Sequence, residues 1–220
     1  MTSAPDPRPD VSDMYAVHQA LRDSLGWAPQ LVREVDATDT ARIGLITNFY
    51  ENVLSFLHVH HGGEEELIFP LLSERCAEEL AIVDEMASQH ADVVELIARS
   101  HRALGSWSGG ESAAQEGSAT ALGDLGERLE DHLADEERRL LPLCADNLSL
   151  QEWGALPGHA LGAFDGDKVW LILGLIRDHM TQDQRDQMLA HMPPPAVEMW
   201  TSMGEQAYKN LLAEVGPPVR

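Results

Sequence analysis

Apolar positions recur with helical spacing along almost the whole chain, and strand-like alternation is nearly absent. Glycines and prolines cut this pattern into segments. A first helix is predicted from about Ser12 to Val35, with Met14, His18, Leu21 and Leu25 on one stripe and Gly26 and Pro29 set to kink or interrupt it. A second runs from about Thr40 to Leu72, with Pro70 near its end. A third runs from about Ala77 to Leu104 and aligns Val83, Met86, His90, Val94 and Ile97 as a core face. GSWSGGESAAQEGS, residues 105–118, reads as a Gly/Ser-rich loop before a fourth helix from about Ala119 to Leu143, with Pro142 near its end. Four long helices with short connections predict an all-α, up-down-up-down four-helix bundle over residues 12–146. Residues 1–11 are expected to form a disordered arm.

The pattern changes from about Leu148. LSLQEWGALPGHALGAFDGD reads as a short helix and loop, and further helices are predicted near 167–180, 182–191 and 196–214. Asp167 and Thr181 are candidate N-caps, and MPPP at 192–195 is a hard break. Val169, Trp170, Leu171, Leu173, Leu175 and Ile176 need burial, so residues 147–216 are expected to form a helical extension packed on the bundle.

Composition narrows the function. The 220 residues are 44% hydrophobic, enough for one well-buried domain with an extension. Their net charge of −22 argues against nucleic acid and against anionic membrane surfaces. The longest apolar run, VWLILGLI at 169–176, falls far short of the about 20 residues a spanning helix needs. The N-terminus has no apolar stretch of the kind a signal peptide carries. Cys76 and Cys144 form no CxxC pair and read as reduced thiols, and a cytoplasmic location is expected.

The candidate chemistry lies in an internal repeat. His60-His61-Gly62-Gly63-Glu64-Glu65-Glu66-Leu67-Ile68-Phe69-Pro70 aligns with His132-Leu133-Ala134-Asp135-Glu136-Glu137-Arg138-Arg139-Leu140-Leu141-Pro142, both reading H-x-x-x-E-E-x-x-L/I-x-P. A histidine and a glutamate four apart share a helix face and can reach one metal site. Two such units supply two histidines and two carboxylates, enough to bridge a metal pair. His61 and Glu65 are also four apart, but only His60 and Glu64 keep the repeat's spacing to Pro70. His18 and His90 lie on core faces, where an imidazole needs a partner. Measured from loop centres near residues 38, 75 and 112, the four histidines have matching offsets of 20 and 22, 15 and 15, and 22 and 20 residues. That places them within about 3 Å of one level in an antiparallel bundle. Glu64 is expected to face inward, and Glu65 and Glu66 to be solvated. His58, His101, His159, His179 and His191 read as structural or surface residues. Gly62 and Gly63 cost about 1 kcal/mol each in a helix. They leave room for a ligand, allow a bulge that re-aims His61, or admit a close helix contact.

With these residues the chain resembles the hemerythrin (HHE cation-binding) family over about residues 12–146, and its extension resembles that of actinobacterial hemerythrin-like proteins. The resemblance implies a non-haem pair of iron ions, joined by an oxo or hydroxo bridge. The metal ligands it implies are His18, His60, Glu64, His90, His132 and Glu136, with both glutamates bridging. Oxygen carriers of the family place two histidines one turn apart on the third helix, whereas Met86 and Val94 flank His90 here. They also use a histidine and an aspartate five apart on the last helix, where this chain has His132 and Glu136. The fifth imidazole is therefore missing unless His61 supplies it from the second helix. Imidazole and carboxylate ligands alone suit iron, manganese or zinc; the resemblance favours iron.

The expected function is to bind or react with a small molecule, O2, H2O2 or NO, by redox at the metal pair. Phe49, Val53 and Phe56 would line a dry pocket, and Tyr50 would pack or donate a hydrogen bond or an electron. One form of this reading is a peroxide- or NO-consuming oxidoreductase. The alternatives are a non-catalytic iron or oxygen sensor or storage module signalling through the C-terminal helices, with a homodimer formed through the extension, and a purely structural bundle. Iron–sulfur cluster repair fits less well, because the N-terminus has no cysteine.

Overall fold

The computed structural model describes residues 8–218 apart from Ser112 and Asp165, and apart from the Asp167 side chain. Most of the expected N-terminal arm lies outside the described residues. All regular structure among the described residues is helical. Four long elements form the bundle: α1 (Ser12–Arg33), α2 (Thr40–Gly63), α4 (Leu80–Ser108) and α5 (Ala114–Asn147). A single π-helical segment, Glu64–Ile68, joins α2 to α3 (Phe69–Arg75), so the second helical arm reaches beyond Leu72.

Several expected breaks are absent, each for a tertiary reason. α1 runs straight through Gly26 and Pro29. Facing it on α5 are two glycines. A β-carbon at Gly126 would lie 3.5 Å from Leu25 Cβ, and one at Gly123 would lie 3.4 Å from Pro29 Cγ. Without side chains there, α5 packs closely on the turn that the proline weakens. The 105–118 loop shrinks to residues 109–113, because Trp107 is buried and holds the Gly/Ser-rich end of α4 in helix against its low propensity. α5 then begins at Ala114, and Gln115 donates to the carbonyls of Val32 and Val35 at 2.7 and 2.8 Å, satisfying the end of α1. On α4 the core position expected for Val94 belongs to Val93, and Val94 is 43% exposed.

The extension is more helical than expected. α6 (Leu150–Trp153) and α7 (Ala155–Gly162) occupy the stretch expected to hold a short helix and a loop. They are followed by α8 (Asp167–Asp178), α9 (Gln182–His191), α10 (Pro194–Met199), a second π segment (Trp200–Gly204) and α11 (Glu205–Val215). Ser149 and Thr181 each close a capping box, whereas the N-cap position of α8 is Gly166, one residue before Asp167.

α8 packs against both α1 and α2 and buries Trp170, Leu171, Ile172, Leu173 and Leu175. His179 reaches Asp23 of α1 at 3.3 Å. Arg42 at the start of α2 donates to the Glu214 and Val215 carbonyls, capping α11 where Gly216 turns left-handed. Tyr208 of α11 seats on Gly174 of α8 and donates to Asp178.

The core divides into two apolar clusters. The larger holds the middle and far end of the bundle with the extension, from Leu21 and Phe49 to Leu129 and Trp200. The smaller holds Met14, Ile68, Phe69, Leu72, Met86, Leu140, Cys144 and Trp153 at the other end.

Two glycines of the extension make opposite predictions. A β-carbon at Gly174 would fall 2.2 Å from the Tyr208 ring, which cannot yield without moving α11. Gly174→Ala is expected to destabilise by about 1–3 kcal/mol. Gly158, in α7, has nothing within 4 Å of such an atom. Gly158→Ala is expected to be neutral or to stabilise by up to about 1 kcal/mol. Denaturant unfolding of the two variants against the parent checks both signs.

Candidate metal centre

A polar layer separates the two apolar clusters. His18 comes from α1, His60 and His61 from the end of α2, Glu64 from the π segment, His90 from α4, and His132 and Glu136 from α5. All seven are buried. Their rings meet closely: His18 to His60 at 5.3 Å, His60 to His61 at 5.4 Å, His61 to His132 at 4.9 Å and His90 to His132 at 4.8 Å between centroids. His61 also stacks on His90 at 3.9 Å. The structure thus brings the four expected histidines to one level.

Their ligand atoms form two groups: His18, His60, Glu64 and Glu136 in one, and His61, His90 and His132 in the other. The carboxylates span them. Glu64 lies 3.5 Å from His60 Nε2 through Oε1 and 3.5 Å from His90 Nε2 through Oε2. Glu136 Oε2 lies 3.5 Å from His18 Nε2 and 3.6 Å from His132 Nε2.

His61 is therefore at the centre of the layer, supplying a fifth imidazole. Positions i, i+1 and i+4 lie within about 100° of one another on a regular helix, so adjacent His60 and His61 share the interior face with Glu64. On α5 the same three positions, His132, Leu133 and Glu136, are also all buried, with the apolar Leu133 where α2 has His61. The π turn lies beyond Glu64, where the Phe69 N–H reaches the Glu64 carbonyl. Of the paired glycines, Gly63 admits a close contact: its absent β-carbon would lie 3.2 Å from His159 Cδ2 and 3.3 Å from Leu156 Cδ2 of α7. Gly62 has nothing within 4 Å.

The second glutamate of each repeat has a role that the expected solvation of Glu65 missed. Glu65 Oε1 accepts from His90 Nδ1 at 2.9 Å although its side chain is half exposed, and Glu137 Oε1 accepts from His18 Nδ1 at 2.9 Å. Each H-x-x-x-E-E unit sends its first glutamate into the layer and its second to the back of a histidine on a neighbouring helix. The sequence signal was the doubled glutamate itself. Gln89 does the same for His132 at 3.0 Å and, unlike the glutamates, had no repeat to reveal it. These bonds put the proton on Nδ1 and leave the inward Nε2 as a lone-pair donor. Burial would raise the Glu137 carboxyl, but its bonds to His18 and Arg22 hold it down at about 2. Glu66 is well exposed, as expected, 3.8 Å from His159.

The other histidines lie outside the layer: His58 and His191 are exposed, and His101 pairs with Glu51 on the surface. Phe49, Val53 and Phe56 are buried in the larger cluster, and Tyr50 packs its ring on Phe49 at 5.1 Å. Tyr50 is not one of the clustered residues, and its hydroxyl has no hydrogen-bond partner among the described residues.

Electrostatics mark the layer as incomplete by itself. Burial, then the charge of Glu136, pushes the Glu64 carboxyl well above its usual range; burial also raises Glu136. Burial and neighbouring imidazoles push His60 and His61 well down, and bring His132 to about 3. The inward nitrogens of all five histidines and both oxygens of Glu64 and Glu136 are buried without a hydrogen-bond partner. Both ring nitrogens of His61 belong to that set, and among the described residues only the Thr47 and Tyr50 hydroxyls add to it. Unpaired buried polar atoms are costly and rare, so their concentration at one level calls for a bound group. Imidazole nitrogens and carboxylate oxygens aimed at common points fit metal ions.

A four-helix bundle with a buried histidine–carboxylate layer is the architecture of metal-carrying helical bundles. The family model for the hemerythrin HHE cation binding domain matches residues 10–144, and the chain belongs to that family. No curated protein and no solved structure matches the chain. No helix among the described residues is long and apolar enough to cross a membrane.

The raised Glu64 carboxyl predicts a pH effect on the metal-free protein. In the unfolded chain this group titrates near its usual 4.5. The folded state holds its proton to higher pH, so its contribution to stability is present below about 4.5 and lost as pH rises through the folded value. Glu64→Gln removes that loss. The metal-free variant is expected to exceed the metal-free parent in stability at neutral pH by about 1 kcal/mol or more, with the gain shrinking toward pH 4. Denaturant melts across this range check it; a gain that grows toward acid would show the opposite sign.

Proposed function

We propose that this chain is a non-haem di-iron protein that binds or reacts with O2, H2O2 or NO. In this reading residues 12–146 hold the metals and residues 147–216 cover them. The observation that carries it is the division of the buried ligand atoms into two groups, with Glu64 and Glu136 reaching across both. Two carboxylates and five imidazoles oversupply one ion and suit a pair. His61, His90 and His132 would serve one ion and His18 and His60 the other, with both glutamates shared. Bound iron would supply reversible electron transfer and coordination positions open to a small ligand. The two-imidazole side would leave more such positions.

The chain's own groups do the rest. Glu65, Glu137 and Gln89 keep three imidazoles neutral and oriented. The apolar clusters on both sides keep the layer away from water. A sensing role is the second reading, favoured by α7 resting on Gly63, between His60 and Glu64. Occupancy could then be read by the extension. Fast turnover of peroxide or NO would favour the enzyme, and a ligand-dependent change in hydrogen exchange of α7 would favour the sensor.

Elemental analysis and an optical spectrum after aerobic iron loading test the main reading. Two irons per chain are expected; one zinc, or no metal, would overturn it. Removing the metal is expected to lower the melting temperature while the protein stays helical, because binding at about a thousandfold over Kd stabilises by about 4 kcal/mol. Acid should release the metal, since the ligands must be deprotonated. Glu64→Ala and Glu136→Ala should each mimic chelation, and Glu66→Ala should do little. His61→Ala should alter the iron spectrum while iron is retained; an unchanged spectrum would remove His61 from the ligand set.

A further inference from the structure

The ligand layer rests on a floor that contains two thioethers. Met14 lies one helical turn before His18 on α1, and Met86 lies one turn before His90 on α4. Residues so spaced have β-carbons about 5–6 Å apart on one face. Helical side chains lean toward the N-terminus, so His18 and His90 lean over the turns that carry these methionines. In an up-down-up-down bundle α1 and α4 run the same way, which puts both sulfur atoms on the same side of the layer. Both residues are buried, Met14 at 6% and Met86 at 0% exposure, in the smaller cluster with Ile68, Phe69 and Leu140. Phe69 stacks on His90 at 5.2 Å, which ties this cluster to the ligands.

We propose that Met14 and Met86 are oxygen-atom acceptors beside the metal pair, converted to methionine sulfoxide when the iron-loaded protein meets hydrogen peroxide. The inference rests on the di-iron reading. In the step, the thioether lone pair forms an S–O bond to one peroxide oxygen as the O–O bond breaks. The sulfur loses two electrons, and the second oxygen leaves with both protons as water. Thioether plus H2O2 gives sulfoxide plus water, with no further reductant or oxidant.

The same cluster contains an alternative sulfur, and chemistry separates the two kinds. Cys144 and Cys76 are buried free thiols. A thiol reacts as its thiolate, and burial, followed by the nearby charges of Glu136 and Glu64, raises Cys144 far out of the reactive range. A thioether is oxidised in its neutral form, so burial beside the site does not silence it. The methionines would take up oxidising equivalents before the ligand imidazoles do. The chain also carries its own control. Met199 and Met203 are exposed, at 49% and 52%, and lie in the extension, where peroxide reaches them directly from solvent.

The test compares the full-length protein loaded with iron and loaded with redox-inert zinc, each given the same peroxide, with sulfoxide at every methionine measured by peptide mass spectrometry. Met199 and Met203 are expected to oxidise equally in both forms. Met14 and Met86 are expected to oxidise at least about tenfold more in the iron form. Equal oxidation of Met14 and Met86 in the two forms, no oxidation of either, or oxygen found on Phe69 or the ligand histidines in their place would overturn the inference. Iron content and the optical spectrum of the same sample separate the two levels. If iron is held and peroxide consumed while Met14 and Met86 stay intact, only this inference falls. If no iron is held, the di-iron reading falls and takes the inference with it. Met86→Leu conserves volume and fold. It is expected to lose its iron spectrum with fewer equivalents of peroxide than the parent, and an unchanged tolerance would count against the acceptor role.

Discussion

The structure depends on one constraint: a layer of five imidazoles and two carboxylates is buried between two apolar clusters with its inward atoms unpaired. In a protein interior each unpaired polar atom costs on the order of 1–3 kcal/mol, and a buried charge costs more. A bundle could avoid this by placing leucine at every such position, as α5 does at Leu133. The chain instead gathers histidines from all four long helical arms, and glutamates from two of them, at one level, which leaves the layer in need of a bound cation. The backs of three of the imidazoles, His90, His18 and His132, are satisfied separately by Glu65, Glu137 and Gln89.

Holding such a layer constrains the backbone. α2 presents two adjacent histidines and a glutamate to the same interior from positions i, i+1 and i+4, which lie within about 100° on a regular helix. The π segment at Glu64–Ile68 follows them, and Gly63 before it lets α7 approach closely. The extension covers the arms that carry His18 and His60 in two places: α7 at the ligand level, and α8 further along α1 and α2. Its own packing is equally specific, with Tyr208 in the notch at Gly174 and Arg177 over Trp200.

Much of this was legible in the chain. Helical periodicity determined the all-α class, and the repeated H-x-x-x-E-E-x-x-L/I-x-P unit singled out His60, Glu64, His132 and Glu136. Offsets from the loops put His18 and His90 at the same height, because in antiparallel helices the rise per residue converts numbering into depth. The doubled glutamates were visible too, but helical spacing assigns a direction and not a partner, so Glu65 read as solvated although it reaches His90.

What only the tertiary structure decided are the matters that depend on contacts between segments remote in sequence. Pro29 stays within a continuous helix because Gly123 and Gly126 of α5 lie against it, and no local rule contains that neighbour. Trp107 keeps a Gly/Ser-rich stretch helical by entering the core, and Val93 displaces Val94 from the core face. His61 joins the layer because His90 of α4 and His132 of α5 meet it there. The sequence by itself marked the histidines and glutamates that face the core, since residue type and periodicity are local. The fold alone decided how many of them meet, since that is set by packing across four helices at once.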